Sequence, residues 1–225
     1  MITQAASRHF TFVLSSGRRD GNTELLARKA AEHLPAGYAR EWLNLIDLPL
    51  PPFTDIRHSV GVYPAPQGNE RVLFDATLTA TDLVFVTPLY WYSVPASAKL
   101  YLDYWSGWLR VQGADFKARM AGKTLWGVSV LSDEDPKRAD PLVGTLAITA
   151  DYLAMNFGGV LLGYGNRPDD VLNDADALAR ARTFFQPWAN SRRSASLCSP
   201  RAGTAVAARS GCRGGAASSN DPPGT

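Results

Sequence analysis

Along the first 190 residues, short apolar runs alternate with longer stretches of helical spacing. Phe10–Leu14, Leu83–Thr87, Thr124–Leu131 and Val160–Tyr164 are largely apolar, as buried strands are. Ala39–Leu45 alternates instead, setting Arg40, Trp42 and Asn44 against Glu41, Leu43 and Leu45, as an edge strand should. Between these runs lie five helical segments. Thr23–Leu34 places Leu26, Ala30 and Leu34 on one face, and Asn69–Ala80, Ala96–Leu109, Pro141–Asn156 and Asp174–Trp188 follow. Residues 46–67 form a long Pro-rich connection.

Five βα units predict an α/β fold with a parallel sheet covered by helices on both faces. An edge second strand fits the doubly wound, flavodoxin-like order 2-1-3-4-5. In such a sheet, ligands sit beyond the carboxyl ends of the strands, where the order switches between strands 1 and 3. The segments following Leu14, Thr87 and Leu131 are therefore the candidate site.

After the first strand comes Ser15-Ser16-Gly17-Arg18-Arg19-Asp20-Gly21-Asn22-Thr23, leading directly into a helix. A helix start offers unpaired N–H groups and partial positive charge to an anion. Ser16 and Thr23 add hydroxyls, Asn22 an amide, and Arg18 a planar charged fork. The two glycines are expected to let the backbone turn and approach an oxyanion. The loop is neither a P-loop nor a dinucleotide fingerprint, because it lacks Gly-Lys-Ser/Thr and Gly-x-Gly-x-x-Gly. The alternative is a polar turn with Asn22 as a simple helix cap.

After the third strand comes Thr87-Pro88-Leu89-Tyr90-Trp91-Tyr92-Ser93-Val94-Pro95. Residues 90–108 hold seven aromatics. Tyr101, Tyr104, Trp105 and Trp108 repeat at helical spacing and are expected in the core. Tyr90 to Ser93 sit at the switch point and are expected to contact a flat conjugated ligand.

Charge and cysteine placement narrow the function classes. The formal charge is +2, yet residues 191–225 hold five Arg and one Asp, leaving the first 190 at −2. The domain is thus too near neutral to argue for nucleic acid. Ser, Ala, Gly and Pro fill 22 of the 35 tail positions, so residues 1–190 are expected to form one domain and 191–225 a disordered tail. An Arg-rich arm for an anionic surface, or a stretch read in a shifted frame, are the alternatives for that segment. Both cysteines, Cys198 and Cys212, lie in it, which excludes disulfides, thiolate zinc sites and iron–sulfur clusters from the domain. No apolar run reaches about 18 residues, so no membrane span is expected. The N-terminus has no signal-peptide pattern, and the expected location is the cytoplasm.

The first loop, Ser16-Gly17-Arg18-Arg19-Asp20-Gly21-Asn22-Thr23, resembles the Gly-Ser-x-Arg-x-x-Gly-Asn-Thr phosphate loop of the NADPH-dependent FMN reductase family. The second, Pro88-Leu89-Tyr90-Trp91-Tyr92-Ser93-Val94-Pro95, is similar to that family's Pro-x-Tyr-Trp-x-x-x-Pro flavin-edge loop, which leads into a helix with Lys and Asp at the places of Lys99 and Asp103. The resemblance spans about residues 8–190. It implies a flavodoxin-like fold holding FMN non-covalently, with Ser16, Arg18, Asn22 and Thr23 on the phosphate. Pro88, Leu89, Tyr90, Trp91, Tyr92 and Ser93 would line the isoalloxazine. It also implies a homodimer or homotetramer whose partner subunit helps close the flavin site. Two departures stand out: Ser15 replaces the first loop glycine, and the acidic Ser132-Asp133-Glu134-Asp135-Pro136 replaces a Gly-rich turn. Those carboxylates are expected to point to solvent.

The expected activity is ping-pong hydride transfer from NAD(P)H through FMN to a small-molecule electron acceptor: a quinone, a flavin, or an azo or nitro compound. The flavin carries the chemistry, so no catalytic side chain and no metal are expected. Arg18 or Arg19 would favour NADPH over NADH. A flavodoxin-type electron carrier and a flavin-free interaction module are the rival readings. Deleting residues 191–225 is expected to leave the melting temperature and NAD(P)H oxidation nearly unchanged. A large loss of either would reject a passive tail.

Overall fold

The computed structural model describes residues 8–59 and 61–186. In chain order these form β1 (His9–Leu14), α1 (Asn22–Ala31), β2 (Ala39–Asn44), α2 (Gly68–Thr79), β3 (Asp82–Val86) and α3 (Ala96–Trp108). Then come α4 (Phe116–Met120), β4 (Thr124–Leu131), α5 (Asp140–Tyr152), β5 (Asn156–Tyr164) and α6 (Ala175–Ala181). The strands pair in parallel in the order β2-β1-β3-β4-β5, as the alternation of elements predicts. No described helix is long and apolar enough to cross a membrane. The boundary at residue 190 and the 191–225 tail lie outside the described residues.

Side chains along a strand alternate between faces, so the sheet builds two cores. Phe10, Phe12, Leu14, Val84, Val86 and Val128 pack with Leu26, Ala27 and Ala30 of α1 and Ala177 and Ala181 of α6. Val13, Leu83, Phe85 and Leu125 pack on the other face with α2, α3 and α5. There Tyr101, Tyr104, Trp105 and Trp108 are buried, as their helical spacing predicts. Edge strand β2 also has two covered faces: Trp42 stacks on Phe12 at 4.0 Å, while Leu43 packs on the opposite core.

Four expected boundaries move by more than one residue, the first being the end of α1, at Ala31 rather than Leu34. α5 ends at Tyr152 and β5 starts at Asn156, four residues before the expected strand start at Val160. The mostly apolar stretch Leu153–Phe157 extends the helical pattern, but the chain reverses at Ala154, whose φ is 54°. A register shift then falls between Leu125 and Trp126, opposite Gly158 and Gly159. A Cβ on Gly158 would collide with the Trp126 ring, and Gly159 has φ 94°, so both glycines are required there. α6 ends at Ala181 rather than Trp188 because the chain turns so that Phe184 and Phe185 both reach Trp126. Adjacent residues of a continued helix would point about 100° apart. Finally, α4 is too short to leave a periodic signal, although Phe116 and Met120 are buried.

The amino ends of the strands carry a buried ion pair. Asp82 is 1% exposed and accepts from Nε and Nη2 of the Arg8 guanidinium, from Trp126 Nε1 at 2.9 Å and from Thr81 Oγ1 at 2.8 Å. Removing the arginine would strand a desolvated carboxylate. Arg8→Ala is therefore expected to lower unfolding free energy by about 3 kcal/mol in urea melts. A change below about 0.5 kcal/mol would show that Asp82 does not depend on Arg8.

Candidate functional site

Because β1 and β3 are neighbours, their carboxyl-terminal loops leave the sheet side by side. Ser15 N–H donates to Val86 O at 3.0 Å, and Ser97 Oγ donates to Ser15 O at 2.8 Å. Ser15 is thus a buried tether between the loops, and its hydroxyl, where a glycine is expected, also donates to Val86 O at 3.4 Å.

The first loop winds into α1 with Gly21, not Asn22, in the cap position, and no side chain caps the helix. The first-turn N–H groups therefore remain available to an outside acceptor. The expected use of glycine freedom is not what the chain does: Gly21 has an ordinary extended φ of −80°, and Asp20 takes the left-handed turn at 51°. An Asp tolerates that region better than most residues. Glu24 holds the turn, accepting from Asp20 N–H at 3.1 Å.

The two arginines part company. Arg19 is ion-paired with Asp47 and has its pKa raised by that hydrogen bond and charge. Arg18 has no carboxylate within ion-pairing distance among the described residues, and its guanidinium lies over Gly21, where an added Cβ would stand 3.7 Å from Nε. Asn22 is 6% exposed, and its Nδ2 donates to Arg167 O at 2.8 Å, pinning the segment after β5 to the start of α1. Gly165 lies against it, where a Cβ would come within 2.8 Å of Nδ2.

The second loop forms a two-residue turn. Tyr90 N–H donates to Ser93 O at 3.0 Å and Ser93 N–H to Tyr90 O at 3.1 Å. Trp91 and Tyr92 between them have φ of 49° and 64°. Two adjacent bulky residues in the left-handed region are strained, by roughly 1–3 kcal/mol each. The turn lifts Trp91 away from the core and leaves it 93% exposed.

A cleft of ≈ 170 Å³ joins the loops. Ser16, Arg18, Asn22 and Thr23 line one side, and Pro88, Leu89 and Tyr90 the other. A second cavity of ≈ 200 Å³, lined by Leu89, Trp91 and Tyr92, shares Leu89 and Ser132 with the first. Nine of the ten expected site residues thus meet along one trough. Ser93 lines neither cavity and closes the turn through its backbone. Of the acidic segment only Ser132 reaches the first cleft. Asp133 borders the second, 3.5 Å from Arg138, while Glu134 and Asp135 are exposed. Glu24, Gly165 and Asn166 also line the first cleft and were not expected. Glu24 has one legible signal: an acid three residues past the cap reaches back to a loop N–H. The residues after β5 carry none.

The family model Flavodoxin_2, described as Flavodoxin-like fold, matches residues 8–183. YwqN of Bacillus subtilis (strain 168), provisionally named an NAD(P)H-dependent FMN-containing oxidoreductase, is 34% identical over 176 residues, covering 77% of this chain and 95% of its own. A solved structure titled Trp repressor binding protein, also from Bacillus subtilis, superposes with TM-score 0.62 at 29% identity, covering 78% of this chain and 97% of its own. An NAD(P)H:quinone oxidoreductase from Methanothermobacter marburgensis shares the fold at TM-score 0.56 and 16% identity, over 81% of this chain and 98% of its own. With the sheet order, the paired loops and a match over most of its length, this chain belongs to the flavodoxin-like family Flavodoxin_2.

Proposed function

We propose that this protein is an FMN-dependent oxidoreductase that passes reducing equivalents from NAD(P)H to a quinone, flavin, azo or nitro acceptor. The observation that carries this reading is the shared cleft: anion donors on one wall, an apolar and aromatic shelf on the other. The identity to YwqN supports it.

The residues fit the group. Ser16 and Thr23 offer hydroxyls, Arg18 a guanidinium with no carboxylate in ion-pairing distance among the described residues, and α1 its first N–H groups to the phosphate. Asn22 offers its backbone N–H and the one Nδ2 hydrogen left beside that given to Arg167 O. Pro88, Leu89 and Tyr90, followed by Trp91 and Tyr92, form the shelf for the ring, with Ser93 closing the turn behind it and Pro88 and Pro95 stiffening it. Bound FMN would supply two-electron chemistry, taking hydride from NAD(P)H in one half-reaction and reducing the acceptor in the next. The chain's part is to bind, orient and exclude water. With Arg18 assigned to the phosphate, Arg19 is the candidate for a nicotinamide 2′-phosphate, for which its exposed ion pair with Asp47 would have to open. The exposed Trp91 fits a surface to be covered by a second copy in a homodimer or homotetramer. A domain without cysteine fits a cytoplasmic enzyme.

The purified protein is expected to bind FMN with absorbance bands near about 375 and 450 nm and to bleach on adding NADPH. A colourless protein that ignores added FMN would reject the proposal, and a stable one-electron form without NADPH oxidation would favour a carrier. Arg18→Ala is expected to weaken FMN binding by about 1.5–3 kcal/mol in calorimetry, the scale of a hydrogen bond to a charge. Unchanged affinity would remove Arg18 from the phosphate. Gly165→Ala is expected to push Asn22 off Arg167 O and lower stability by about 1–3 kcal/mol in thermal melts, an overpacking effect.

A further inference from the structure

The anion cleft contains a buried negative charge. Glu24 lines it and is only 7% exposed. Its Oε2 accepts from Asp20 N–H at 3.1 Å, so the carboxylate belongs to the scaffold that sets the loop's left-handed turn. The same charge opposes any phosphate brought into the cleft, and strongly so where water is excluded.

Arg28 answers that charge from behind. Its Nε and Nη2 both donate to Glu24 Oε1, at 2.9 and 2.6 Å. Arg28 does not line the cleft. Its guanidinium carbon lies 4.4 Å from the centre of the Trp42 ring, and Trp42 stacks on Phe12 with 7° between the planes. The guanidinium is therefore fixed by two carboxylate bonds and an aromatic face, a more defined position than an exposed helix pair usually holds.

We infer that Arg28 is a positioning residue for the phosphate half of the cleft. It neutralises Glu24, so that the carboxylate can brace Asp20 without repelling the bound dianion. This rests on the reading of the cleft as a phosphate site. Its consequence is specific to charge: Arg28 governs affinity for the phosphorylated flavin and leaves the unphosphorylated one alone. Glu24→Gln keeps an oxygen acceptor for Asp20 N–H while removing the charge.

The test is titration of FMN and riboflavin into the full-length protein and its Arg28→Ala, Arg28→Met, Arg28→Lys, Glu24→Gln and Glu24→Gln/Arg28→Ala variants. Melting curves accompany each titration. Arg28→Ala, and Arg28→Met, which keeps an apolar stem over Trp42, are expected to weaken FMN about tenfold and riboflavin less than about twofold. Arg28→Lys should retain most FMN affinity. Glu24→Gln should bind FMN at least as tightly as the wild type, and the double variant should recover most of what Arg28→Ala loses. Equal weakening of both flavins would overturn the inference, as would unchanged FMN affinity in Arg28→Ala or no recovery in the double variant. In each of these cases the wild type still binds FMN, and the phosphate reading stands. A wild type that binds neither FMN nor inorganic phosphate overturns that reading, and this inference with it.

Discussion

Everything at the mouth of the sheet depends on β1 and β3 being hydrogen-bonded neighbours although β2 lies between them in sequence. The chain goes outward to β2 and then crosses back, so the loops after Leu14 and Val86 leave adjacent strand ends in the same direction. The Ser15 N–H to Val86 O bond continues the pairing one step past the strands and sets the distance between the loops. A helix start on one side and a stiff aromatic turn on the other then follow from local chemistry. Neither loop alone encloses anything; the cleft exists because parallel pairing delivers both to one edge.

Two buried carboxylates mark the two ends of this sheet, and both are handled alike. At the amino end Asp82 is bound by Arg8, whose guanidinium sits 4.7 Å from the Phe10 ring centre. At the carboxyl end Glu24 is bound by Arg28 against Trp42. Each acid satisfies fixed donors, Trp126 and Thr81 in the first case and the Asp20 amide in the second. Burial makes such acids expensive unless paired, and an aromatic face restricts the arginine that pairs them. The first arrangement lies at the far end of the sheet from the cleft and braces the β-bulge near Trp126. The second sits in the cleft wall.

The strands legible in the sequence are those buried on both faces and the alternating edge strand β2, found within one residue of its expected end. Thr124–Leu131 is found with both ends as expected, because apolar residues predominate along it. The start of β5 was not legible, because Leu153–Phe157 continues the helical pattern of α5. What ends the helix is a reversal at Ala154 and a bulge shaped around Trp126, whose orientation depends on Asp82, 44 positions away. The cleft shows the same division. Helical spacing separates Tyr101, Tyr104, Trp105 and Trp108 from the loop aromatics correctly, because burial on a helix is periodic. No local pattern tells Arg18 from Arg19: Asp47, which pairs with Arg19, reaches it only through the placement of β2. Likewise no local pattern shows that Asn22, with Gly21 in the cap position, also pins the segment after β5 by donating to the carbonyl of Arg167.

A crystal structure of the protein grown with FMN would decide whether the trough is a flavin site. The phosphorus is expected beside the first N–H groups of α1, with the Arg18 guanidinium and the Ser16 and Thr23 hydroxyls on its oxygens, and the ring against Leu89 and Tyr90. FMN bound elsewhere, or bound with its phosphate away from residues 16–23, would contradict the convergence of the two loops on one ligand.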